Sequence, residues 1–304
     1  MSEGAGRYAP SPSGPLHIGN LRTALVAWVM ARQTGRRFWL RIEDIDPHRT
    51  GAADQQIAEL ASLGLDWDGP VLTQTSRLAR YDEVLAELAE RDQLFECYCT
   101  RREIAEATRA PHTPPHHYPG TCAHLSEAER QERRAQLGDR APALRLRSPK
   151  RDWTVHDEFF GDYSGPVDSF VLRRGDGAPA YNLACVVDDG ETGVDQVVRG
   201  ADLLPTSPGQ AYLAQLLGYR TPTYAHVPLV VNSAGQRLAK RDGAVTLEDL
   251  GWPTERVLEL LTGSLGGPAV TSLAEFRNTF TPADLPLVPY EFGVTTGLRP
   301  HRGG

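Results

Sequence analysis

The stretch "RYAPSPSGPLHIGNLRTAL", residues 7–25, sets three prolines and two glycines around one histidine and then becomes an unbroken series of helix formers. "GRYAP" reads as a short strand stopped by a proline, and "LRTALVAWVMARQTG" has helical periodicity closed by Gly35. "RFWLRIEDID" follows as an alternating segment rich in strand formers and ended by Pro47. Strand, Gly-rich turn, helix and strand make a βαβ unit, so an α/β fold with a parallel sheet is expected. A strand feeding a helix N-terminus presents unpaired backbone N–H groups and a positive dipole end, a ready site for an anion. His17, at the mouth of that helix, can donate a hydrogen bond to a phosphate oxygen, with a plain polar-turn histidine as the alternative.

Working outward, residues 52–64 and 77–92 read as helices. From about 97 to 125 the chain is dense in Cys, His, Thr and Pro, as an insertion would be, and "SEAERQERRAQLG" and "ALRLR" follow as a charged helix and a strand. Strand signals resume in "DSFVLRRGDGAPAYNLACVVDDGETGVDQVVRG", with "RRGDG" as a hairpin turn. "GQAYLAQLLG" is a Gly-capped helix and "HVPLVVN" a short buried strand. Beyond it, "QRLAKRDG" places Lys240 in a Gly-flanked loop. Lys240 and His17 converging on one nucleotide would clamp a pyrophosphate leaving group from two sides. The last 50 or so residues read as helical and then irregular, with "LRPHRGG" frayed.

The 304 residues carry a net charge of −7, so electrostatics alone do not point to a nucleic-acid partner. Basic residues are nevertheless clumped in "RRE" at 101–103, "RLRSPKR" at 145–151, Arg173 with Arg174, and Lys240 with Arg241. No run of 18 apolar residues occurs and the N-terminus has no signal-peptide pattern, so a cytoplasmic protein without a membrane partner is expected. Four cysteines, two of them in "CYC", are poor material for a disulfide framework and good material for a metal site.

"PSPSGPLHIGN" together with "RLAKR" resembles the HIGH and KMSKS signatures of class I aminoacyl-tRNA synthetases. "RIEDID", "YNLACVVDD" and "RGADLL" have counterparts in the glutamyl branch, in the same order over about residues 7–250. The resemblance implies a Rossmann-like catalytic domain that activates glutamate with ATP and Mg2+. It implies glutamate binding by Arg7, Ser11, Glu43, Tyr181 and Arg199. It places ATP at His17, Gly19, Asn20, Lys240 and Arg241, with His17 and Lys240 as the catalytic pair. The sequence departs from the pattern at Asn20, Arg237, Ala239 and Cys185.

Only 64 residues follow Lys240, and this shortened architecture resembles the glutamyl-Q branch, which attaches glutamate to the queuosine base at the wobble position of tRNA(Asp). The implied partner is the anticodon stem-loop of queuosine-containing tRNA(Asp), and the expected state is a monomer. Cys97, Cys99, Tyr118 and Cys122 resemble the zinc site of that branch, with His112, His116, His117 and His124 close enough in sequence to replace the tyrosine. The expected organisation is a Rossmann-like first half (1–96), a zinc-bearing insertion (97–174), a second half (175–242) and a short helical, stem-contact-like region (243–304). Alternatives are a paralogue that transfers glutamate to another acceptor, a tRNA-binding module with a decayed active site, and, most distantly, a nucleotidylyltransferase.

Overall fold

The computed structural model describes residues 4–100, 102–104, 118–149, 151–232, 234–236, 238 and 245–293. The opening turn builds the expected unit: β1 (Ala5–Tyr8), α1 (Ile18–Gln33) and β2 (Arg37–Ile42), with β1 and β2 parallel. α2 (Ala52–Ser62), β3 (Leu72–Thr73) and α3 (Leu78–Glu90) follow, the last entered through a 3-10 turn at Gln74–Arg77. A small antiparallel sheet is then made by β4 (Leu94–Cys97), β5 (Ala143–Leu146) and β8 (Val171–Arg173). The charged helix α4 (Glu127–Ala135) lies between β4 and β5, held at its start by a reciprocal cap between Ser126 and Glu129.

β6 (Asp152–Asp157) and β7 (Gly161–Pro166) fall within the segment expected as the insertion, yet they join the main sheet. The strand order there is β3-β2-β1-β9-β10-β6-β7, with β9 at Val194–Gly200 and β10 at Thr223–Val227. Every neighbouring pair is parallel except β6 with β7. "YNLACVVDDGE", read from sequence within a run of strand signals, is instead a helix, α5 (Tyr181–Glu191). Its β-branched pair Val186 and Val187 favours strand, but burial beside α3 and α6 (Ser207–Leu216) decides the outcome. "HVPLVVN" splits at Pro228 into the end of β10 and β11 (Val230–Val231).

Helices cover both faces. α1 is buried nearly all round, as a helix flanked by packing on both sides must be. Its partners are the sheet and the C-terminal helices α8 (Thr254–Gly263) and α9 (Leu273–Thr279), which follow the short α7 (Leu247–Leu250). Buried Arg22 of α1 ties these parts together by donating to Ser264 Oγ at 2.8 Å, Ser264 O at 3.0 Å and Pro228 O at 3.0 Å. α3, α5 and α6 share the opposite core with Leu146 and Leu172 of the small sheet. β12 (Tyr290–Glu291) pairs with β11. Among the described residues no helix is long and apolar enough to cross a membrane.

Candidate active site

β1 and β9 are neighbours whose connections leave in opposite directions, and in a doubly wound sheet the crevice at the carboxyl ends of such a pair is where ligands bind. A cavity of about 580 Å3 opens there, lined by Arg7 and Tyr8 from β1, the turn through Asn20, Glu43, Tyr181, and Arg199 from β9. It therefore gathers Arg7, Ser11, His17, Gly19, Asn20, Glu43, Tyr181 and Arg199 on one surface. Lys240, Arg241, Arg237 and Ala239 lie outside the described residues. The flanks of the Lys240 loop are anchored at the cavity, because Leu238 lines it and Val245 O accepts from Ile18 N at 3.0 Å.

The helix entrance differs from the sequence expectation of unpaired amides. His17 is the N-cap of α1, and its Nδ1 accepts from Gly19 N at 3.1 Å and Asn20 N at 3.3 Å, while Asn20 Oδ1 accepts from His17 N at 3.2 Å. Ile18 N is held by Val245 O, so the first-turn amides are already satisfied. With Nδ1 as acceptor, the proton of the neutral ring sits on Nε2. The anion donor this turn offers is thus the imidazole rather than the backbone. Gly19 is needed for space: a Cβ there would stand 3.0 Å from the His17 ring. The preceding loop is fixed by α2, where Gln56 Nε2 donates to Ser11 O and Gly14 O and Glu59 accepts from Leu16 N at 2.7 Å.

Beneath the cavity lies a buried ion network that sequence reasoning missed. Arg7 Nε donates to Asp189 at 3.2 Å and its Nη1 to Val198 O at 2.9 Å; Arg41 Nη1 meets Asp189 at 2.5 Å and its Nη2 meets Glu43 at 3.1 Å. Burial works to raise the Asp189 carboxyl, but the charges of Arg41 and Arg7 overcome it and hold the group below the usual carboxylate range. Cys185 donates its thiol to Glu43 at 3.0 Å, and burial beside that carboxylate pushes the thiol up, so it stays protonated. The Asp188-Asp189 pair inside an apolar run was the available signal, since charged residues are buried only when paired.

Arg199 is only 6% exposed and is held by side chains from β10 and α6. Its strong contacts are Gln210 at 2.6 Å, Ser207 at 2.8 Å and His226 at 3.0 Å. Longer contacts run to Leu203 O at 3.3 Å, Thr206 at 3.3 Å and the Tyr181 hydroxyl at 3.5 Å, and Leu203 and Tyr181 line the cavity with Arg199. Tyr181, 38% exposed, stands at the first turn of α5 beside it.

A second cluster lies at the end of β4. The sulfurs of Cys97, Cys99 and Cys122 are all within 4.8 Å of one another, and none is in a disulfide. The Tyr118 hydroxyl is 3.5 Å from Cys97 Sγ and 4.0 Å from Cys99 Sγ, and it accepts from Cys122 N at 2.9 Å. Sulfurs bound tetrahedrally at about 2.3 Å stand about 3.8 Å apart, so the set suits zinc. Hydrogen bonds from Cys122 and Cys99 hold the Cys97 thiol well below its ordinary value, and the same contacts push the Cys99 thiol up, so one negative charge is shared among the sulfurs. His124 is exposed and outside the cluster, while His112, His116 and His117 lie outside the described residues.

Residues 5–277 match the family model for the catalytic domain of class I tRNA synthetases (E and Q). A glutamyl-Q tRNA(Asp) synthetase of Nocardia farcinica is 60% identical over 290 residues, covering 94% of this chain and 92% of the relative. The protein of that name from Cutibacterium acnes is 50% identical, over 91% and 80% of the two chains. The crystal structure of glutamate-tRNA synthetase from Elizabethkingia anophelis superposes with a TM-score of 0.83 at 24% identity, over 97% of this chain and 69% of that one, a likeness of fold.

Proposed function

The chain belongs to the class I tRNA synthetases for glutamate and glutamine, in the glutamyl-Q tRNA(Asp) synthetase family, and from that premise we propose how its residues perform the reaction. The protein is a ligase that activates L-glutamate with ATP and transfers it to the queuosine base of tRNA(Asp). The observation that carries the site assignment is the convergence of His17, Glu43, Tyr181 and Arg199 on one cavity at the sheet's switch point.

In the first step the glutamate α-carboxylate attacks the α-phosphorus of ATP, and pyrophosphate leaves. Arg7 and Arg199 offer guanidinium donors to the substrate's carboxylates, and Glu43 offers an acceptor to its ammonium. His17 donates from Nε2 to a phosphate oxygen, and Lys240, two residues beyond cavity-lining Leu238, supplies the second cation. Mg2+ accompanies ATP and neutralises phosphate charge. In the second step a hydroxyl of the queuosine cyclopentenediol attacks the mixed anhydride, an ester forms and AMP departs.

Labelled glutamate and ATP are to be incubated with tRNA(Asp) carrying either queuosine or guanine at the wobble position. Label enters the queuosine form alone. Glutamate-dependent ATP–pyrophosphate exchange with neither tRNA labelled moves the acceptor elsewhere and refutes the transfer step.

Cys97, Cys99, Cys122 and Tyr118 are the residues to hold a structural Zn2+, which ties β4 to the chain around Cys122. The local core there is small, built on Phe95, Tyr98, Tyr118 and the cysteines themselves. Cys97→Ser therefore purifies with little or no zinc and melts at lower temperature. Zinc content equal to wild type by elemental analysis removes the assignment.

A further inference from the structure

Arg199, His226 and Asp157 stand on three adjacent parallel strands, β9, β10 and β6. The register sets Arg199 opposite His226, and Asp157 opposite Tyr224, two residues before it. Their side chains form a row running from the cavity wall into the protein. Arg199 Nε donates to His226 Nε2 at 3.0 Å, and His226 Nδ1 lies 2.6 Å from Asp157 Oδ2. A guanidinium only donates and a carboxylate only accepts, so one arrangement satisfies both contacts: a neutral ring with its proton on Nδ1. Asp157 is fixed in turn by the amides of His226, Phe159 and Phe160, and neither His226 nor Asp157 is reached by solvent.

Resting on the glutamate reading above, we propose that His226 is a positioning residue: locked by Asp157 as the Nδ1–H tautomer, it aims the Arg199 guanidinium at the substrate carboxylate. A second proton on the ring removes the acceptor that Arg199 uses and sets a cation against it, so glutamate affinity falls in acid. The charged and titratable groups facing His226 are Asp157 from β6, Arg199 from β9, Tyr224 stacked at 5.9 Å on its own strand, and Arg7 from β1 at longer range. Burial holds the imidazole below its ordinary value, with the Arg199 charge acting in the same direction and Asp157 against it. The ring is therefore neutral at physiological pH and titrates on the acid side.

The experiment measures KM for glutamate and for ATP in ATP–pyrophosphate exchange, across pH, for wild type, His226→Leu and His226→Gln. The glutamine amide donates to Asp157 and accepts from Arg199 but does not titrate. His226→Leu raises the glutamate KM about tenfold or more, with the ATP KM changed by less than about twofold. His226→Gln keeps a near-wild-type glutamate KM and loses the rise that wild type shows below the ordinary imidazole range. An unchanged glutamate KM in His226→Leu, an equal rise for both substrates, or a wild-type acid limb in His226→Gln overturns the positioning role. If His226→Leu does not fold, the pH profiles of wild type and His226→Gln decide. Wild type without glutamate-dependent exchange overturns the glutamate reading and this inference with it, whereas exchange with unaltered variants overturns the inference alone.

Discussion

Arg199→Ala loses glutamate-dependent ATP–pyrophosphate exchange, its kcat/KM for glutamate falling by about a hundredfold to ten-thousandfold. The magnitude follows from two charge-assisted hydrogen bonds between a guanidinium fork and a carboxylate, each worth about 1.5 to 3 kcal/mol. Alanine also leaves Gln210 and His226 without the donor they now have, which costs about 1 to 3 kcal/mol of stability. Arg199→Lys separates the two effects. It keeps the cation and loses the fork, so it retains the fold and still binds glutamate poorly. Exchange kinetics with glutamate varied, read beside thermal melting, check both variants. Activity of a folded Arg199→Ala protein within about threefold of wild type removes Arg199 from the substrate pocket.

What could be read from sequence was what is decided locally. The unit from β1 to β2 announces itself in about forty residues because strand, turn, helix and Gly stop are each written in adjacent positions. The cysteine cluster is similar: all four of its groups lie in "CYC" and "YPGTC". Features set by distant contacts were harder. Val186 and Val187 favour strand, and only burial beside α3 and α6 makes them helical. β7 contains Gly161, Gly165 and Pro166, which its place at the sheet edge tolerates and a local reading discounts. The satisfied entrance of α1 depends on Val245, more than 200 residues after Ile18. The Asp157, His226 and Arg199 row has no motif, because strand order rather than sequence spacing brings its members together.

The same dependence on distant contacts sets the largest expected stability effect, that of Asp189→Asn. Asp189 is the shared partner of Arg7 and Arg41, whose side chains are 4% and 3% exposed. Removing its charge takes the carboxylate partner from buried Arg7 and leaves Arg41 to Glu43 and Asp188, and breaking a buried pair in this way costs about 3 to 5 kcal/mol. The melting temperature should fall by on the order of 10 °C. Because Arg7 and Arg41 also support the cavity through Val198 and Glu43, the glutamate KM rises with it. The pH dependence distinguishes an ion pair from simple packing. The folded carboxyl is held below its unfolded value, so its contribution is complete above the ordinary carboxylate range and is lost as pH falls through the depressed value. The difference between wild type and Asp189→Asn is therefore widest near neutrality and closes in acid, where wild type also carries an uncharged group. Chemical unfolding of both proteins at several pH values measures that gap; a gap that is absent at neutral pH, or that stays constant into acid, sinks the argument that Asp189 neutralises Arg7 and Arg41.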